Sequence, residues 1–150
     1  MVILQEQTSA MHVACSLARR LAAIFYDSIL LIALLAIANF LLIIILGDKI
    51  AATISTNLLI YIYYLGISLL FYGWFWTHGG QTLGMRVWRI QVIDESGEPV
   101  NWSQAAIRFG VALLSWCCIG TGFLWALFDN KSRGWHDLAS KSRLIVIPKK

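Results

Sequence analysis

Charge is scarce in this chain of 150 residues. Asp, Glu, Lys and Arg make up 13% of it, about half the ~25% of an ordinary soluble domain. Hydrophobic residues make up 59% and the mean hydropathy is +0.70. Those values exclude a freely soluble globule and point to an integral membrane protein, a single unit over residues 1–150. Cysteine is also sparse. Cys15 stands alone, and Cys117 and Cys118 are neighbours inside an apolar run, so a disulfide framework is excluded and the three read as small apolar fillers. His12, His78 and His136 show no zinc spacing with one another or with the cysteines, so neither a metal nor another cofactor is expected. The chain lacks a nucleophile–base constellation and a phosphate loop, which leaves no ground for an enzyme. It has no visible internal repeat, so it offers few parts for a self-contained alternating-access transporter. The opening MVIL turns polar, with Glu6 ahead of any basic residue, which is the wrong order for a cleavable signal peptide.

The excess of basic residues, 12 against 8 acidic, does not indicate nucleic acid. Half of them lie in the tail (Lys131, Arg133, Lys141, Arg143, Lys149 and Lys150), where they read as a topology signal and a contact for anionic lipid.

What is abundant is apolar sequence in long runs. A spanning helix needs about 20 mostly apolar residues. The stretch 21–46 supplies them with one charged side chain, Asp27, and with Arg19 and Arg20 at its head. Arg20 and Asp27 fall on nearly one helical face, about 10 Å apart along the axis. An acid inside a span is a functional-site hypothesis by default. Asp27 is either a proton- or cation-binding group or a structural one paired with Arg20 or Arg108. Asn39, deeper in the run, reads as a helix–helix contact. Residues 9–20 suggest a short interfacial helix, and residues 50–57 a short connection. A second span over 58–76 carries no charge. It is flanked by Tyr61, Tyr63 and Tyr64 at one end and by Tyr72, Trp74 and Trp76 at the other, as expected of interfacial belts. Gly66 and Gly73 would let it pack closely against a neighbour.

The long polar segment 77–104 opens on His78-Gly79-Gly80, a helix stop. Val87–Asp94 alternates as a strand does, Glu95–Gly97 reads as a turn, and Asn101 with Gln104 has a capping-box pattern. Residues 105–128 are apolar again, entered by Arg108 and broken at Gly120-Thr121-Gly122. Trp116 and Trp125 within them read as packing and interface anchors. Arg143–Ile147 is a second short strand. Two such strands are too short to be stable alone and pair best with each other. Basic segments favour the cytoplasm, and a complete third crossing would put the basic tail outside. Both arguments favour a 105–128 segment that re-enters over three full spans. Irregular backbone at that depth is tolerated when buried in protein or lining a cavity. The expected fold is all-α: two long transmembrane helices, a third re-entrant or broken apolar segment, and a small cytoplasmic hairpin-like cap formed by 78–104 with 129–150.

The chain resembles the RDD family of membrane proteins, named for one arginine and two aspartates. The residues carrying the likeness are Arg20 and Asp27 in the first helix and Gly80-Gln-Thr82-Leu-Gly84-Met-Arg86 with Val92-Ile-Asp94 and Gly97 in the loop. They continue with Arg108 and the ending Arg133-Gly-Trp-His136-Asp137-Leu-Ala. The second named aspartate then falls on Asp137, or more weakly on Asp129. Met85 stands where the family usually has lysine, and Ser140 where glycine is common. The resemblance implies a bacterial inner-membrane protein with a cytoplasmic N-terminus and transport of an unidentified ligand as the usual guess.

Two functions follow as expectations. One is a non-enzymatic module contributing to transport of an ion or small ligand, proton-linked through Asp27 and working as an oligomer. The other is an accessory protein that binds partner membrane proteins, with Arg20, Asp27 and Asp137 holding its own fold. Arg133 and Asp137, four apart, would be helix neighbours. His136 could titrate near neutral pH as a gate, although a satisfied structural histidine is the commoner case.

Overall fold

The computed structural model describes residues 15–47, 57–129 and 133–147. The interfacial stretch before residue 15, the connection over 50–56 and the tail residues Lys131, Lys149 and Lys150 lie outside the described residues.

Helix α1 (Leu17–Leu46) and helix α2 (Leu58–Thr77) are both long and apolar enough to cross a membrane. The first begins a turn earlier than its hydropathy suggests, because Arg19 and Arg20 are part of the helix. Its buried residues are Arg20, Ala23 and Asp27, all in its first third. From 28 to 46 none of its residues is buried, and that length rises about 28 Å, close to the ~30 Å of a hydrocarbon core. Asp27 therefore stands at the head of the exposed span and not deep within it. Tyr64 Oη donates to Asn39 Oδ1 at 3.1 Å and Tyr63 Oη to the Ala38 carbonyl at 3.2 Å. Asn39 is thus the helix–helix contact expected of it.

Two further expectations for α2 need correction. Gly73 does permit close packing, since a Cβ there would come within 2.6 Å of the Trp102 ring, but Gly66 faces open space. Trp76 is not an interfacial belt residue. It is buried with 9% exposure, and Tyr72 packs on it with ring centroids 5.3 Å apart.

The cap begins with a short helix, α3 (Leu83–Val87), capped by Thr82, whose hydroxyl accepts the Met85 N–H at 3.2 Å. Residues 83–87 are therefore helical. Arg89 at φ 54 turns the chain, so strand β1 starts only at Ile90 and runs to Asp94. The Val-Trp-Arg-Ile alternation concealed that turn. Strand β2 (Ser142–Val146) starts and ends one residue before the expected 143–147. It pairs antiparallel with β1, Ile90 opposite Val146 and Asp94 opposite Ser142. The inward residues Ile90, Val92 and Val100 join Cys15, Ala23 and Ala105 in the core.

Helix α4 (Trp102–Cys117) opens on a complete capping box. Asn101 Oδ1 accepts the Gln104 N–H and Gln104 Oε1 accepts the Asn101 N–H, each at 2.9 Å. It ends at Cys117, and Gly120, whose φ of 75° suits glycine, leads into the next short helix. The chain then bends by 109° into α5 (Thr121–Leu124) and a 3₁₀ turn (Trp125–Leu127). Trp116 packs on Phe123 and Trp125 on Trp135 across and beyond the bend. A last short helix, α6 (Trp135–Ala139), lies against α4 and leads into β2. The third apolar segment is therefore broken, and its two ends meet at one sheet.

A buried Arg–Asp–Arg cluster and the Asp27 latch

Asp137 sits in the first turn of α6. Its Oδ2 reaches back to the Gly134 N–H at 2.9 Å, satisfying an N-terminal donor that glycine cannot cap with a side chain. The same oxygen takes Arg20 Nη1 at 2.7 Å, and Oδ1 lies 2.5 Å from Arg108 Nη1. Asp137 is 0% exposed, Arg108 3% and Arg20 5%. Three elements, α1, α4 and α6, are thus tied at one carboxylate. Arg108 Nη1 also donates to Ser142 Oγ at 2.7 Å, and Ser142 shares a hydrogen bond with Ser140 at 2.7 Å. The Arg108 guanidinium lies 5.3 Å above the Trp76 ring, a cation–π contact.

Burial alone would raise the Asp137 acid, but the charges of Arg108, His136 and Arg20, with the Gly134 N–H, hold it below the usual carboxylate range. His136 is also buried, 3.5 Å from Asp137 Oδ1. Burial outweighs the neighbouring carboxylate and pushes its imidazole down to about 4. It is neutral near pH 7, and the gate expected of a histidine titrating there has no support.

Asp27 belongs to a second arrangement. Thr82 Oγ1 donates to its Oδ2, and the Gly84 N–H donates to Oδ1 at 2.8 Å. Only glycine fits at 84, because a Cβ would lie 2.5 Å from the Ala23 carbonyl and 2.9 Å from Asp27 Cγ. Neither Arg20 nor Arg108 pairs with Asp27, contrary to expectation. Arg20 looks back along α1 toward Cys15, whose carbonyl accepts Nε at 3.3 Å, and toward α6.

The Arg133–Asp137 pairing also gives way. α6 starts only at Trp135, so Arg133 lies ahead of the helix, and it binds Asp129 at 3.2 Å in a half-exposed pair. Of the loop motif, Gly80 accepts the Val92 N–H through its carbonyl at 2.7 Å, and Thr82 and Gly84 hold Asp27. Arg86 is exposed on the last turn of α3. Met85, in place of the expected lysine, is buried in the core. Trp76, Ser140 and Ser142 were missed. Trp76 was hidden by its place at a span end, and nothing in the local sequence marks the serines.

A cavity of about 300 Å³ lies between α1, α2 and α4. Arg20, Asp27, Thr82, Trp76, Arg108 and His136 border it, and the rest of its wall is mainly apolar, including Leu31, Leu65 and Phe109. Among the described residues no three His, Cys, Asp or Glu side chains come together as a metal site.

Two apolar helices long enough to span a bilayer, a broken third segment and a buried Arg–Asp–Arg cluster under a two-stranded cap define a helical membrane protein. The RDD family model matches residues 14–141, and the chain belongs to that family. It is 34% identical over 80 residues to "Uncharacterized protein YxaI" of Bacillus subtilis (strain 168), a match covering 53% of this chain and 52% of that protein. The chain thus spans about half the length of this relative. No solved structure matches it.

Proposed function

We propose that this RDD protein is a non-enzymatic membrane module that contributes to transport of an ion or small ligand, with Asp27 as the proton-exchanging carboxylate. One observation carries the reading. Asp27 is held by a hydroxyl and an amide, with no arginine bound to it among the described residues, and it borders the 300 Å³ cavity. A carboxylate locked to a guanidinium would hold its charge, whereas one held by neutral donors can take up a proton in exchange for a small rearrangement of Thr82. In this reading it works as an oligomer in the bacterial inner membrane, because a single membrane carboxylate offers few parts for alternating access. The test is flux in proteoliposomes under an imposed proton gradient: Asp27→Asn should abolish it and leave expression and oligomer size intact.

A second reading, an accessory protein for partner membrane proteins, draws on the Arg20–Asp137–Arg108 cluster. Those groups bind one another across three helices and hold the fold. Failure of Asp27→Asn to accumulate would favour it.

A further inference from the structure

Two residues on the cavity wall carry polar hydrogens that nothing accepts. Trp76 Nε1 and Arg108 Nε are buried, and neither has a hydrogen-bond partner among the described residues. Both atoms can only donate. A buried donor left without an acceptor destabilises the fold, and these two lie on neighbouring side chains, the guanidinium over the indole. Other orphaned donors in a fold are met by water or by a ligand. Here the surrounding wall is mainly apolar, formed by Tyr72, Phe109 and Leu113 among others, and it is built largely from helices long and apolar enough to cross a membrane. Arg108 is bound on its Nη1 side by Asp137 and Ser142, which leaves its Nε edge for a further acceptor. Asp27 borders the same cavity but lies two turns further along α1 than Arg20, about 10 Å away, with its oxygens already occupied by Thr82 and Gly84.

We infer that the cavity binds an amphiphile whose head is an oxyanion, a carboxylate or phosphate, seated at Arg108 and Trp76, and whose hydrocarbon body lies along the apolar wall. Its volume falls at the lower end of small-ligand sites, roughly 300–1,000 Å³, which suits a single chain or the first part of a lipid tail. The inference deepens the reading above by naming the ligand's class. It rests on the cavity being a binding site and not on Asp27 moving protons.

The test is equilibrium binding with no gradient, so its outcome is independent of the flux assay. The full-length protein in nanodiscs of neutral-headed lipid is titrated with dodecanoate, dodecyl phosphate and the uncharged dodecanol, with inorganic phosphate as the headgroup alone. Expected is one saturable site per chain for the two oxyanion amphiphiles, at least tenfold tighter than for dodecanol, and no site for inorganic phosphate. Trp76→Phe keeps the ring and its packing but removes the N–H, and should weaken dodecanoate about three- to tenfold with an unchanged unfolding midpoint. Addition of phosphatidylglycerol to the nanodiscs separates the sources. Competition assigns the site to a bilayer lipid, its absence to a free amphiphile, and either supports the inference. Equal affinity for dodecanol and dodecanoate, or unaltered dodecanoate binding by Trp76→Phe, overturns it.

Discussion

Arg20 and Asp137 stand 117 residues apart in the chain and 2.7 Å apart in the fold. That contact, and not one between Arg20 and Asp27, fixes the head of the first span. The two buried aspartates are thereby divided. Asp137 gathers two arginines from two different helices, and Asp27 is left to Thr82, Gly84 and the cavity.

The cluster should be costly to break from its centre. Asp137→Asn takes the carboxylate from a buried Arg108 and breaks its bond to Arg20, a defect of about 3–5 kcal/mol in comparable cases. Asp27→Asn should cost about 1 kcal/mol, since an amide still accepts from Gly84 and meets the Thr82 hydroxyl. Chemical unfolding in detergent checks the difference, and equal losses would refute the division of roles.

Gly84→Ala should prise α3 away from α1. The added methyl meets the Ala23 carbonyl at 2.5 Å, and backbone cannot yield as a side-chain tip can. A loss of about 1–3 kcal/mol is expected. Gly66→Ala, in open space, should be near neutral. Thermal unfolding of the two variants side by side is sufficient, and a neutral Gly84→Ala would show that α3 does not press on α1.

Stability should fall on acidification in two stages. The His136 imidazole titrates near 6.5 when unfolded and at about 4 when folded. Between those values the unfolded chain binds the extra proton, so stability declines as pH falls from about 6.5 to 4, by up to about 3 kcal/mol. Asp137 acts further down. Its folded acid is depressed, so its contribution is present above the unfolded value near 4 and is lost as pH falls toward the folded one. His136→Gln should flatten the first stage alone. A pH series of unfolding midpoints reads both, and a slope between pH 6.5 and 4 unchanged by that substitution would contradict the assignment.

Strand pairing fixes topology. Ser96, beyond the end of β1, and Lys141, just before β2, flank one antiparallel ladder, so single cysteines at these positions, in a background with the three native cysteines changed to serine, should label from the same face of sealed vesicles. Labelling from opposite faces would require a third complete crossing.

Much of this architecture is legible in the sequence. The spans show as long apolar runs, the strand pair as two segments too short to stand alone, and the break as Gly120-Thr121-Gly122. The start of α3 was masked because Val87-Trp-Arg-Ile alternates as a strand would, although Thr82 was available as a cap. Partner choice among the charges was beyond local reading. Asp27 has two candidate arginines, Arg20 and Arg108, and which acid those arginines reach depends on how α6 docks against α4. Trp76 illustrates the same limit: a tryptophan at a span end reads as an interfacial anchor until Arg108 is found above it.

The central claim is that Asp137 holds the structure while Asp27 serves the cavity. The most direct measurement takes proton-driven flux and the unfolding midpoint on the same preparations of wild type, Asp27→Asn and Asp137→Asn. The account predicts that Asp27→Asn loses flux with a midpoint close to wild type, and that Asp137→Asn loses the fold itself. Wild-type flux in Asp27→Asn, or collapse of that variant to the same degree as Asp137→Asn, would contradict it.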